Sequence, residues 1–302
     1  MRTSPVGYRL ALLAAVISGF SIYVNSYAVR VLPDATMFAT LKNTLTGVIL
    51  LIPVALLARR RRELALLRRR DALWLLLLAI IGGSVPYVLF FVGLQMTTAT
   101  TGSLLNHAQF VVVAALAVPL LRERMTGFAW VGLGLLAAGS LLGVDVRVLR
   151  FNEGAVLVLA STVLFGAGVV LARHLLSRLS PELVMSAKMS AGAVLLIAYA
   201  ALTGHLVHVA TLSTTQWLVA IGTGLILVAF TVSTTLALRY APAIAVTAIG
   251  MASPPITLAL QLAAGAAPRL QAGSAWSLVL VVAGACAFLL ARRQSVPKAA
   301  SA

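Results

Sequence analysis

From Ala72 to Leu121 the chain runs for fifty residues without one Asp, Glu, Lys or Arg. As a single helix this stretch would be roughly 75 Å long at 1.5 Å per residue, over twice the hydrocarbon thickness of a bilayer. It therefore has to cross a membrane and fold back, and Gln95-Met-Thr-Thr-Ala-Thr-Thr101 is the polar run where it can turn. Met189 to Leu238 is a second charge-free stretch of like length, broken from Gly204-His205 to Gln216. Composition agrees: 61% of the 302 residues are hydrophobic, only 10% are charged, and the mean hydropathy is +1.04. A soluble domain carries about 25% charged residues. This reads as an all-α polytopic membrane protein, because lipid-facing backbone must satisfy its own hydrogen bonds.

On a ruler of about 20 residues per crossing, ten spans are expected. They are Leu10–Val29, Thr36–Ala58, Ala72–Leu94, Thr98–Leu121, Gly127–Val144, Gly154–Ala172, Leu183–Thr203, Trp217–Leu238, Pro242–Ala264 and Ala275–Ala291. The first is expected to be retained rather than cleaved, since more spans follow it. The net charge of +16 does not point to nucleic acid, because Lys and Arg cluster in short loops between apolar runs, as cytoplasmic loops do. The largest cluster is Arg59-Arg-Arg-Arg-Glu-Leu-Ala-Leu-Leu-Arg-Arg-Arg70, which reads first as a topology anchor on an anionic leaflet. Counting Lys and Arg loop by loop puts both termini in the cytoplasm and the protein in the cytoplasmic membrane. The lone cysteine, Cys286, excludes a disulfide framework and a thiolate metal site.

The two halves, residues 1–150 and 151–302, repeat. Pro33-Asp34 before the second span matches Pro181-Glu182 before the seventh, Ser18-Gly19 matches Phe165-Gly166, and Trp74 matches Trp217. Five spans per half is an odd number, so the second copy enters from the opposite side. Two inverted five-helix repeats are the architecture of many secondary transporters, with the substrate near the midplane.

This order of elements, the basic loop after the second span, and Pro119-Leu-Leu-Arg-Glu123-Arg at the end of the fourth resemble the drug/metabolite transporter superfamily, and within it the EamA-like group. Ala237-Leu-Arg-Tyr-Ala-Pro-Ala-Ile-Ala-Val-Thr-Ala, running on to Pro254, is similar too. The chain departs from the family pattern at Phe110, where a proline is usual, and at Ser18-Gly19, where Trp-Gly is usual. The resemblance implies export or exchange of small polar metabolites, such as amino acids or organic anions, through a central cavity open to each side in turn.

The side chains able to meet such a substrate sit inside the spans. Lys42, beside Asn43 in the second span, and Lys188 in the seventh are ammonium groups about six residues from opposite faces. Charge at that depth usually faces water or a partner; the bland alternative is snorkelling to the headgroups. Asn106-His107-Ala-Gln109 is placed near the middle of the fourth span, with Asn106 and Gln109 on one helical face and His107 able to titrate near neutrality. Ser18, Ser21 and Asn25 form a stripe on the first span. Tyr87 in the third span and Ser253, beside Pro254 and Pro255 in the ninth, complete the set. His205 and His208 are expected to do nothing specific, and Arg122-Glu123-Arg124 to form a local ion pair. Gly139-Ser-Leu-Leu-Gly143 suits close helix packing, either internal or in a homodimer. The acidic residues Asp34, Glu63, Asp71, Glu123, Asp145, Glu153 and Glu182 are single and lie near span ends. That pattern argues against a membrane-embedded enzyme or metal site, and no cofactor is implied. A channel or lipid scramblase of the same architecture is the remaining alternative.

Overall fold

The structure is a computed structural model and describes residues 4–32, 34–97, 105–106, 108–123, 127–142, 152–207 and 209–264, with isolated positions beyond. Among these residues the chain is helical, with no strand. In chain order the helices are α1 (Pro5–Val31), α2 (Ala35–Leu56), α3 (Ala58–Ala65), α4 (Arg69–Met96), α5 (Gln109–Leu121), α6 (Gly127–Leu142), α7 (Glu153–Leu175), α8 (Pro181–Leu202), α9 (Thr214–Tyr240), α10 (Ala243–Gly250) and α11 (Ser253–Ala263). Six of them, α1, α2, α4, α7, α8 and α9, are long and apolar enough to cross a membrane.

Local sequence sets where these helices start. Asp34 accepts hydrogen bonds from the Thr36 and Met37 N–H groups at 2.7 and 3.2 Å, capping α2. Asn152 caps α7, and Ser180 followed by Pro181 opens α8. Ser213 and Gln216 close a reciprocal capping box on α9. Two helices contain a wide π-turn, Ala79–Ser84 in α4 and Ala187–Ala191 in α8. Such turns recur at functional sites, and these two face each other.

Two expected spans are not continuous helices. In the fourth, expected over Thr98–Leu121, residues 105–106 and Gln109–Leu121 are helical, and between them Ala108 is a turn residue whose N–H donates to the Leu105 carbonyl; residues 98–104 lie outside the described residues. Asn106 and Gln109 therefore stand on either side of this turn. The ninth splits at Met251-Ala252 into α10 and α11. His107 and most of the tenth span lie outside the described residues.

The inter-element contacts give the bundle two distinct ends. At one end Arg60 of α3 pairs with Glu182, Arg178 with Asp71, and the Ser4 N–H donates to the Tyr240 carbonyl. We call this the arginine-rich end. At the other, the Gln216 amide donates to the Val31 carbonyl at 2.9 Å and the Asn152 amide to the Met96 carbonyl. Apolar clusters seal both regions. Tyr8, Ala11, Leu75, Leu78, Val113 and Leu175 pack toward the arginine-rich end, and Ala28, Leu32, Phe38 and Phe91 pack toward the other.

Candidate functional site

Between the two apolar clusters lies a polar layer. On α1 the residues from Ala15 to Ala28 bridge the clusters, and Ser18, Ser21 and Asn25 fall in that gap. The Asn25 amide donates to the Ser21 hydroxyl at 3.2 Å. From α2 the Lys42 Nζ donates to Asn25 Oδ1 at 3.1 Å and stands 5.5 Å from the centre of the Phe38 ring, within cation–π range. Lys42 is 4% exposed, so it turns into the bundle and does not snorkel outward. Among the described residues no carboxylate pairs with it: its partners are one amide oxygen and one ring face. Asn43 is fully buried; its amide donates to the Ala39 carbonyl at 2.8 Å, while Oδ1 has no protein partner.

Lys188 sits in the π-turn of α8, and its side chain lies over Gly82 of α4: a Cβ at Gly82 would meet Lys188 Cε at 3.3 Å. It is half-buried. The helices cross here with almost no space. A Cβ at Gly83 would lie 2.1 Å from the Lys188 carbonyl oxygen, and one at Gly192 would lie 2.5 Å from the Gly83 carbonyl oxygen. On the other side of α8 the Ser190 hydroxyl donates to the Gly47 carbonyl of α2 at 2.8 Å.

Both lysines are the eighth residue of their helix, and α2 and α8 run antiparallel. Each therefore lies about 10 Å in from its own end of the bundle at 1.5 Å per residue. An aromatic row borders the layer. Tyr87 of α4 and Phe165 of α7 meet edge to face at 5.1 Å, Phe90 and Phe91 continue it, and Phe38, beside Lys42, meets Phe91 at 5.7 Å. Tyr87 thus joins the site through ring packing.

Two long helices pack on the helix breaks, α1 on the one between α10 and α11 and α7 on the one at the start of α5. A Cβ at Gly19 of α1 would meet the Ser253 carbonyl oxygen at 2.7 Å, and the Thr257 hydroxyl donates to the Gly19 carbonyl. A Cβ at Gly166 of α7 would meet Val112 at 2.7 Å and the Gln109 carbonyl oxygen at 3.5 Å. Ser253, 5% exposed, donates to the Gly250 carbonyl across the break. Asn106 and Gln109 are half-buried beside the other one.

Several residues that the sequence leaves peripheral tie the ends of the bundle. Glu123 accepts from the Ala243 and Ile244 N–H groups at 2.7 and 3.1 Å, capping α10, and lies 3.8 Å from Arg173. The partners of Glu123 among the described residues are thus distant in sequence, and Arg124 of the expected local pair lies outside the described residues. Burial pushes the Glu123 carboxyl above the usual carboxylate range, although those N–H groups and Arg173 pull the other way. Arg173 also donates to the Leu238 and Arg239 carbonyls. Glu63 of α3 accepts from the Ser180 N–H at 2.8 Å, and Arg60 bridges Glu63 and Glu182. Despite partial burial, the Ser180 and Arg60 bonds hold Glu63 below its ordinary value. At the other end His205 Nδ1 lies 2.9 Å from Asp34 Oδ2, contrary to the expectation that His205 has no specific role. The available signal was the repeated Pro-acidic pair, Pro33-Asp34 and Pro181-Glu182: both acids join α2 or α8 to another segment.

No curated protein matches the sequence. A solved crystal structure shares the fold, with a TM-score of 0.73 at 19% identity over 96% of this chain and 98% of the other. Residues 5–144 match the model of the EamA-like transporter family. With its apolar helices, this is a multi-pass membrane protein of the transporter kind. That family belongs to the drug/metabolite transporter superfamily, and residues 5–144 are the part of this chain that is similar to it.

Proposed function

We propose that the protein is a secondary transporter that exports a small anionic or zwitterionic metabolite by alternating access between two inverted five-helix halves. The observation that carries the reading is Lys42: a nearly inaccessible ammonium with one amide and one ring for partners. A buried charge without a counter-charge is costly, and a carboxylate or phosphate of a substrate would supply one. Lys188, at the matching helical position from the opposite end, would receive the same group in the opposite state. The inverted relation is supported by reciprocal packing: Gly19 of the first half on the break at Ser253, Gly166 of the second on the break at Gln109. The arginine-rich end would face the cytoplasm, with the amino terminus on that side.

The experiment is counterflow in proteoliposomes, with thermal-shift screening of amino acids, organic acids and sugar phosphates to choose the ligand. Saturable uptake accelerated by internal substrate is expected, and anion-dependent stabilisation should be lost in Lys42→Ala. Uptake that never saturates would indicate a channel. Lipid exchange without solute movement would indicate a scramblase. Either result would end the carrier reading.

A further inference from the structure

The polar layer does not use the helix that follows α2. In α3 and the residues after it, Arg59, Arg61, Arg62, Arg68, Arg69 and Arg70 are all exposed. The acidic residues nearby are taken: Glu63 by Arg60 and Ser180, Asp71 by Arg178. Side chains that belong in hydrocarbon sit among these guanidiniums, with Leu56 73%, Leu57 51%, Leu64 49% and Leu66 81% exposed. Two of the eight residues of α3, Arg60 and Glu63, hold the helix to the first turn of α8. The others present free positive charge and leucine together, which is the chemistry of a segment lying at the lipid interface. A topology signal needs only the charge. It does not need a folded helix fixed by specific bonds to Ser180 and Glu182.

We propose that α3 with Arg68 to Arg70 is a docking site for anionic phospholipid headgroups, and that lipid bound there braces the start of α8. The guanidiniums match phosphodiester oxygens in geometry, and the exposed leucines fix the depth at which the helix rides. The charge complementarity selects an anionic lipid over a zwitterionic one, because net attraction to the leaflet scales with the number of nearby basic residues. Lysines placed at the same positions would keep much of that attraction, since they keep the charge.

Native mass spectrometry of the purified protein in mixed micelles, with phosphatidylglycerol or phosphatidylcholine added, tests this. Wild type should retain phosphatidylglycerol in preference to phosphatidylcholine and gain thermal stability from it. The preference should fall by about fivefold per arginine removed in Arg61→Gln/Arg62→Gln and further when Arg68→Gln/Arg69→Gln is added. The corresponding lysine variants should hold it. Arg122→Gln, an exposed arginine outside the segment, should leave it unchanged. The wild type alone gives a second reading: 1 M salt, where the Debye length is about 3 Å, should abolish the preference. Cutting the tether with Glu63→Ala/Glu182→Ala, which removes the acceptor of the Ser180 N–H and the partner of Arg60, should leave lipid bound but remove its effect on thermal stability. Equal retention of the two lipids by wild type, a preference that survives the four glutamines, or an equal loss in Arg122→Gln would each overturn the assignment.

Discussion

Gly83→Ala should be the most damaging single methyl in the described part of the protein. The new Cβ would stand 2.1 Å from the Lys188 carbonyl oxygen, about 1.3 Å inside the 3.4 Å at which ordinary contact begins. Nothing soft lies in the way: the obstacle is backbone, and it belongs to a π-turn that is itself wedged against Gly47 on its far side. Relief requires moving α8 away from α4 or unwinding one of the turns. Overpacking by one methylene in a core costs typically about 1–3 kcal/mol, and a clash with the backbone of α8 at both Lys188 and Gly192 belongs at the upper end, about 3 kcal/mol. Lys188 travels with the displaced carbonyl, so counterflow should fall together with stability. Gly222→Ala is the matched control, since a Cβ there meets nothing within 4 Å, and it should be neutral in both assays. The measurement is thermal unfolding in detergent with counterflow in proteoliposomes. If Gly83→Ala unfolds within a degree of wild type and transports normally, the close crossing of α4 on α8 is not how these helices meet, and the pivot argued below fails with it.

Two further outcomes follow from the bonds at the arginine-rich end. Glu123→Ala uncaps α10 and leaves the Arg173 guanidinium without its carboxylate; breaking a buried pair from one side costs about 3–5 kcal/mol. Glu123→Gln should lose less in the same unfolding assay, because its remaining oxygen can still accept one N–H. Glu63 titrates below its ordinary value in the folded protein, so its contribution is fully present above the unfolded carboxylate range near pH 4.5 and is lost as pH falls through the folded value. The stability gap between wild type and Glu63→Gln should accordingly be constant from pH 6 to 8 and close on acidification; a gap that widens in acid would contradict the assigned bond from Ser180.

What the sequence made legible follows from what one dimension can carry. Hydropathy and the absence of charge located the α2, α4, α7, α8 and α9 spans to within a few residues, because burial in lipid acts on each residue separately. The stripe Ser18, Ser21, Asn25 was readable for the same reason, and the structure joins it to Lys42 through Asn25. The break at Met251-Ala252 had a local cause in view, Gly250 before it and Pro254-Pro255 after it. The break at Ala108 did not: no glycine or proline marks it, and only its seating on Gly166 of α7 accompanies it in the fold. Gly82-Gly83 passed unnoticed because a glycine pair in an apolar run has many uses, and only the opposing Gly192 shows which applies. Glu123, Glu63 and His205 were set aside for lying near span ends. Their partners, Ala243, Ser180 and Asp34, are 117 to 171 residues away, a separation over which no spacing rule operates.

The proposed alternating access needs a contact that stays closed while each end of the bundle opens in turn, and the structure holds the middle and the ends by different forces. In the middle, α2, α8 and α4 meet backbone to backbone at Gly47, Gly192 and Gly83. Van der Waals contacts this close are lost over a fraction of an ångström, so the helices can rotate about the crossing but gain nothing by separating. At the ends the bundle is joined by discrete polar links instead: Arg60 to Glu182 and Glu123 to α10 on one side, Asp34 to His205 and Gln216 to Val31 on the other. Hydrogen bonds to charged groups contribute about 1.5–3 kcal/mol each, small enough to be exchanged for a bound substrate or for the matching links at the opposite end. Lys188 belongs to the crossing itself, and Lys42 lies about 10 Å from it along α2. A rotation about the glycine contact would therefore move Lys42 relative to α1 while Lys188 stays nearly in place. The hydrogen bond from Lys42 to Asn25 is then the part of the site that must break and reform in every cycle.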